Sequence, residues 1–78
     1  MCLVYAIVSS SSGRIYIGQT ENIGRRLLEH NLGRVRSTRL GTPWTLLKTE
    51  EFDTRADARW AERQLKASKG RRERWLAQ

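Results

Sequence analysis

The stretch Leu3-Val4-Tyr5-Ala6-Ile7-Val8 is apolar at nearly every position and is the longest such run in the chain. A half-exposed strand would alternate. An unbroken run of this length reads as a strand covered on both faces. The run is also far too short to cross a membrane or to suggest a secretory signal. Ser9 to Ser12 followed by Gly13 reads as a turn. Beyond it, Arg14-Ile15-Tyr16-Ile17-Gly18 alternates and is β-branched or aromatic at three successive positions. The two runs predict a hairpin. With Val8 opposite Gly13, Tyr5 is expected directly opposite Tyr16, two phenols side by side on one face.

The chain has 78 residues, near the lower limit at which one hydrophobic core stabilises a fold, so residues 1–78 are expected to form a single domain. Cys2 and His30 are the only cysteine and histidine, so neither a disulfide framework nor a Cys/His zinc site can be assembled within it. Stability must come from packing, to which three tryptophans contribute large apolar surfaces. A free cysteine without an export signal makes the cytoplasm the expected compartment.

Further along, residues from about Asn22 to Leu32 predict a helix capped at Thr20 or Asn22 and closed at Gly33. Ile23 and Leu27 form its apolar stripe, and Arg26 and His30, four apart, share one face of it. Residues 34–44 are basic and irregular and read as an exposed loop. Thr45 to Phe52 predicts a third strand. A second helix follows, capped by Asp53 or Thr54, running to about Ser68 and stopping at Gly70, with Ala58, Ala61 and Leu65 on its buried face. Residues 71–76 are read as a last short helix docked by Trp75 and Leu76. The expected fold is α+β, a small three-stranded antiparallel sheet flanked by helices in the order β-β-α-β-α with that additional α.

Fifteen Lys and Arg against eight Asp and Glu give a net charge of +7 and call for a polyanionic partner. Residues 14–41 carry six arginines and two glutamates, and 53–78 carry eight basic and four acidic residues, so the excess is spread over the domain. Arginine outnumbers lysine twelve to three, which suits bidentate recognition of phosphate. There is no P-loop, no dinucleotide-binding turn and no Ser/His/Asp set. An unusual polar group remains: Tyr5, Tyr16, Arg26, His30 and Glu62.

Tyr16-Ile17-Gly18 is the second half of the GIY-YIG signature, and Leu3-Val4-Tyr5 stands where its first half would, with leucine in place of glycine. The segment TENIGRRLLEHNLG, Thr20 to Gly33, resembles the family's stretch in which an arginine precedes a histidine by four residues. Pro43-Trp44-Thr45-Leu46 resembles the lead-in to its third strand, and Glu62-Arg63-Gln64-Leu65-Lys66 the helix bearing its metal-binding glutamate. The segments fall in order over nearly the whole chain, which therefore resembles the GIY-YIG nuclease family, most of all its small members similar to the excinuclease C amino-terminal domain.

That resemblance implies a divalent-metal-dependent endonuclease acting on DNA, including branched or damaged DNA in repair or recombination. It makes Glu62 the ligand of Mg²⁺ or Mn²⁺, an ion that commonly needs only one or two carboxylates plus substrate phosphate. Tyr5 becomes the general base. A phenol of pKa ~10 is a poor base at neutral pH, so Arg26, His30 and the metal are expected to lower it. Arg26 would bind the scissile phosphate, His30 would orient Tyr5 or relay its proton, and Tyr16 would position Tyr5 or donate to a phosphate oxygen. Arg26 and Lys66 are expected to contact nucleic acid, and the Arg34, Arg36 and Arg39 cluster reads either as a solvated loop or as further phosphate contacts.

Taken singly, each residue has an ordinary reading. Strand tyrosines are usually core residues, Arg26 a solvated helix arginine, Glu62 the i+4 partner of Lys66, and His30 a cation suited to a helix C-terminus. The departures are Leu3 and the lack of an asparagine after Glu62, a residue that many larger members carry. Larger members also draw specificity from a second DNA-binding domain, so cleavage here is expected to be weakly selective or to depend on a homodimer or partner protein. The competing readings are a non-catalytic nucleic-acid-binding module and a protein-interaction module for acidic partners.

Overall fold

A computed structural model describes residues 1–78 and has the expected α+β architecture. The elements are β1 (Cys2–Ser9), β2 (Ile15–Thr20), α1 (Ile23–Asn31), a 3-10 turn (Arg39–Gly41), β3 (Trp44–Phe52), α2 (Arg55–Ala67) and α3 (Lys69–Ala77). The sheet is antiparallel in the order β2-β1-β3. The apolar run is thus the central strand, and its alternate residues serve two cores. Cys2, Val4 and Ala6 join Ile17, Ala58, Leu65 and Trp75 under α2 and α3. Tyr5 and Ile7 join Trp44 on the opposite face, packed by Tyr16, Ile23 and Leu27, so α1 covers that side. A strand buried on both faces has no reason to alternate in hydropathy, which accounts for the run.

The hairpin register differs from the expected one. Val8 pairs with Ile15, Ile7 with Tyr16 and Tyr5 with Gly18. The connection is longer because the Ser9 hydroxyl organises it, accepting from the Ser11 and Ser12 amides and donating to the Gly41 carbonyl at 2.6 Å. A shift by two residues preserves the faces, so the phenols remain on the same side as diagonal neighbours with ring centroids 6.4 Å apart.

The helices begin and end for identifiable reasons. The Asn22 side chain accepts from the Arg25 amide at the start of α1, and Gly33 (φ 75°) provides the left-handed turn after it. Thr54 caps α2 by accepting from the Asp57 amide. α2 stops at Ala67, not at Gly70. Ser68 leaves the helical conformation and caps α3 by accepting from the Arg71 amide, which places Gly70 inside α3. The indole N–H of Trp75 donates to Glu50 and Lys48 donates to the Trp75 carbonyl, both at 2.6 Å, fastening α3 to β3. No helix is long and apolar enough to cross a membrane.

Candidate active site

Tyr5 projects from the middle of β1 on the α1 face and is completely buried. Its ring lies over Gly18 of the adjacent strand: a Cβ there would stand 2.5 Å from the Tyr5 hydroxyl and 2.7 Å from Cζ. Only glycine leaves this space. The ring thereby extends across β2 toward the sheet edge, where side chains from helices on opposite faces meet. From α1 come Arg26 and His30. From α2 come Glu62 and Lys66, with the Lys66 ammonium 5.4 Å from the centre of the Tyr16 ring.

A buried hydrogen-bonded series runs through the site. The Tyr5 hydroxyl and His30 Nε2 are 2.7 Å apart, and His30 Nδ1 and Thr38 Oγ1 are also 2.7 Å apart. Thr38 Oγ1 directs its own proton to the Val35 carbonyl at 3.4 Å, leaving a lone pair for His30. Nδ1 is accordingly assigned the proton and Nε2 accepts from Tyr5. Trp44 secures the outer end: its indole N–H donates to the Thr38 carbonyl at 2.9 Å, and its backbone exchanges two hydrogen bonds with the Asn31 side chain. No fully buried side-chain nitrogen or oxygen lacks a partner. Such a network is rigid because each lost bond would leave a buried polar group unpaired.

The electrostatics depart from expectation at one point. Burial pushes the Tyr5 phenol up to about 12, and the opposing effect of Arg26 does not offset it. Arg26 by itself does not give the anticipated lowering of Tyr5, because the ring that places the hydroxyl at the site also removes it from water. His30 is held below the usual imidazole range, first by burial and then by Arg26. It is therefore neutral at physiological pH, with Nε2 free to accept a proton. Arg26 is raised further by its interaction with Tyr5, so its charge is permanent.

Arg26 is paired with Glu29 at 3.3 Å, and Glu62 with Lys66 at 2.7 Å. The ordinary reading of Glu62 as partner of Lys66 holds geometrically, yet the Glu62 side chain is only 16% exposed and its charge acts on Tyr5. Nowhere do three His, Cys, Asp or Glu side chains converge. The structure brings Tyr5, Tyr16, Arg26, His30, Glu62 and Lys66 together. Arg34, Arg36 and Arg39 lie instead on the exposed segment between α1 and β3, free of ion pairs.

That segment was expected to be an exposed loop throughout, and Thr38 corrects this: it is 2% exposed. Neither Thr38 nor Asn31 stood out as a candidate residue in the sequence. A threonine in a basic, irregular stretch carries no local signal, and its partner is eight residues away.

The GIY-YIG catalytic domain model matches residues 1–74. The chain is 36% identical over 73 residues to a UPF0213 protein of Natronomonas pharaonis, covering 91% of this chain and 86% of that one. It is 39% identical over 61 residues to a UPF0213 protein of Halobacterium salinarum, covering 77% and 79%. Its fold is similar to the solution NMR structure of the UPF0213 protein from Bacillus halodurans, with a TM-score of 0.61, 28% identity and coverage of 99% and 84%. The architecture, the tyrosine pair on one face of the hairpin and these similarities lead to one assignment: the chain belongs to the GIY-YIG nuclease family.

Proposed function

We propose that the chain is a divalent-metal-dependent endonuclease that hydrolyses phosphodiester bonds of DNA, with residues 1–78 acting as one catalytic unit. Membership of the family implies endonuclease-type activity on nucleic acid, and its nucleases generally use divalent metals. The observation that carries the finer reading is the buried Tyr5–His30–Thr38 series ending beside Arg26 and Glu62.

Hydrolysis requires a deprotonated water, neutralisation of charge on the phosphoryl oxygens and stabilisation of the departing oxygen. With burial pushing the phenol up to about 12, phenolate is scarce at neutral pH before an ion binds. A relay avoids the free phenolate. Once Arg26 turns away to the phosphate and opens the Tyr5 hydroxyl to the attacking water, Tyr5 takes a proton from that water as its own passes to His30 Nε2, and the hydroxide attacks phosphorus while the bond to the leaving oxygen breaks. Thr38 holds the imidazole in the tautomer this transfer needs. Arg26 exchanges Glu29 for a phosphate oxygen, and Tyr16 packs against both Tyr5 and His30 to hold their rings.

The single carboxylate fits a hard cation that retains most of its waters, and Mg²⁺ or Mn²⁺ is the class of ion implied. Lys66 already places a cation on that carboxylate, which fits a position suited to positive charge. Glu62 would hold the ion, whose chemistry is to polarise the phosphate and ease the departure of the leaving oxygen. Arg34, Arg36, Arg39 and Lys66 supply further phosphate contacts. Branched or damaged DNA in cytoplasmic repair or recombination is the proposed substrate, with a second copy or partner protein adding selectivity.

The test is strand nicking of plasmid, forked and single-stranded DNA under Mg²⁺ or Mn²⁺ titration, comparing the wild type with Glu62→Ala and Tyr5→Phe. Metal-dependent nicking reduced at least about 10²-fold in both folded variants is expected. Wild-type protein that binds DNA but cuts nothing would sink the catalytic reading and favour a binding module on the same fold.

A further inference from the structure

The chemistry above leaves much of α2 unused. Arg55, Arg59 and Arg63 recur at four-residue spacing, a row that starts on the same side of the helix as Glu62 and turns gradually away from it. Arg59 and Arg63 are exposed and make no ion pair; Arg55 meets Glu21 only at 3.8 Å, with the two side chains 68% and 67% exposed. Trp60 lies next to this row. It is 63% exposed, whereas Trp44 and Trp75 are 4% and 6% exposed in the two cores. Arg55, Ala56, Arg59, Trp60 and Arg63 line one shallow depression. One side of Trp60 borders Phe52, Leu65 and Trp75, but most of its indole stays in water beside three guanidinium groups.

We infer that this face of α2 binds a single-stranded stretch of DNA flanking the cleavage position, with the arginines on successive phosphates and a base stacked on Trp60. The inference rests on the proposed nucleic-acid substrate and extends it from the reacting phosphate to the flanking strand. Glu62 and Arg55 are seven residues apart, about 10 Å along the helix, a reach of a few nucleotides. The choice of occupant follows from chemistry. A row of arginines repels its own copy, which argues against this face as a symmetric dimer interface. Duplex DNA keeps its base faces stacked within the helix, whereas unpaired bases offer them to an aromatic side chain.

Trp60 also supplies the readout. Titrate the full-length protein, without metal, with a twelve-nucleotide oligothymidine, the corresponding duplex and an abasic twelve-mer, following tryptophan fluorescence and anisotropy of labelled DNA. Oligothymidine should quench the Trp60 emission, while the buried Trp44 and Trp75 remain unquenched. Trp60→Ala should bind it about tenfold more weakly, Trp60→Phe should retain most affinity, and binding of the abasic strand should be the same in all three. Arg59→Gln with Arg63→Gln should weaken binding of both oligothymidine and the abasic strand and flatten the salt dependence.

Quenching by the abasic strand equal to that by oligothymidine, unchanged oligothymidine affinity in Trp60→Ala, or a preference for duplex would each overturn the inference. Because binding is read without metal, the two proposals fail separately. Binding as described without cleavage removes the catalytic reading alone, and cleavage with Trp60→Ala binding normally removes this one alone.

Discussion

The two sides of the candidate site are built on different principles. On the α1 side, Tyr5, His30 and Thr38 are almost wholly buried, neutral and joined by bonds of 2.7 Å. On the α2 side, Glu62 and Lys66 are charged, partly exposed and held to each other across one helical turn. A dry network has few alternative arrangements, as the proposed proton relay would require. A partly solvated ion pair exchanges partners at little cost, as the proposed binding of a cation and a phosphate there would require. Precision and exchangeability are thus divided between helices on opposite faces of the sheet and meet at the β2 edge.

Gly18→Ala should break this division most severely. The new methyl would meet the Tyr5 hydroxyl at 2.5 Å, and a fully buried ring has nowhere to retreat. Overpacking of this kind costs about 1–3 kcal/mol. Displacement of the phenol from His30 should lower nicking by about 10²-fold or more. Lys66→Ala, on the exchangeable side, should change stability by less than about 1 kcal/mol. Thermal melts and nicking rates of both variants check the contrast, which fails if Gly18→Ala is as stable and active as Lys66→Ala.

Thr38→Val comes next. It keeps the shape but removes the acceptor for His30 Nδ1, leaving a buried N–H unpaired at a cost of about 1–3 kcal/mol. With the tautomer no longer fixed, activity should fall by about tenfold, and Thr38→Ser should restore it. Equal activity in Thr38→Val and wild type would remove Thr38 from the relay.

The features legible in the sequence were those with local periodicity. The two-sided strand, the shared face of the tyrosines and the four-residue spacing of Arg26 and His30 all follow from patterns of two or 3.6 residues. The hairpin register did not, because the Ser9 hydroxyl draws its turn against Gly41, far along the chain. Nothing local marks Gly18, whose missing side chain matters only because the Tyr5 ring crosses it from the next strand. Thr38 depends on a partner in another element, and Trp60 looked like one more core tryptophan. The upward push on Tyr5 was hidden for a related reason: nearby cations can be read from sequence, whereas the degree of burial that outweighs Arg26 is a property of the packed molecule.

The pH response should distinguish the relay from a free phenolate. Because burial and Arg26 hold His30 below its unfolded value near 6.5, the unfolded chain binds the proton more readily than the folded one. Its contribution to stability is therefore complete above about pH 6.5 and is lost as the pH falls below that value. Activity should rise on an acid limb whose midpoint lies below about 6.5, then stay flat from neutral pH to pH ~9, since Tyr5 titrates only near 12. A rate that climbs tenfold per pH unit from 7 to 9 would instead indicate a phenolate base. Nicking and thermal melts across the same buffers give both curves.

Glu29→Gln should have the smallest effect and tests the exchangeable character of Arg26. The pair at 3.3 Å is about one-third exposed on each side, so stability should change little. Arg26 would no longer have to leave a carboxylate to reach phosphate, and KM should fall about twofold, with the gain shrinking as salt is added. Glu29 also raises His30 slightly against the larger effects of burial and Arg26. Its neutralisation should therefore move the acid limb to lower pH while the neutral plateau in kcat stays unchanged. A KM that rises, or an acid limb that moves upward, would mean that Glu29 orients Arg26 for the substrate instead of competing with it.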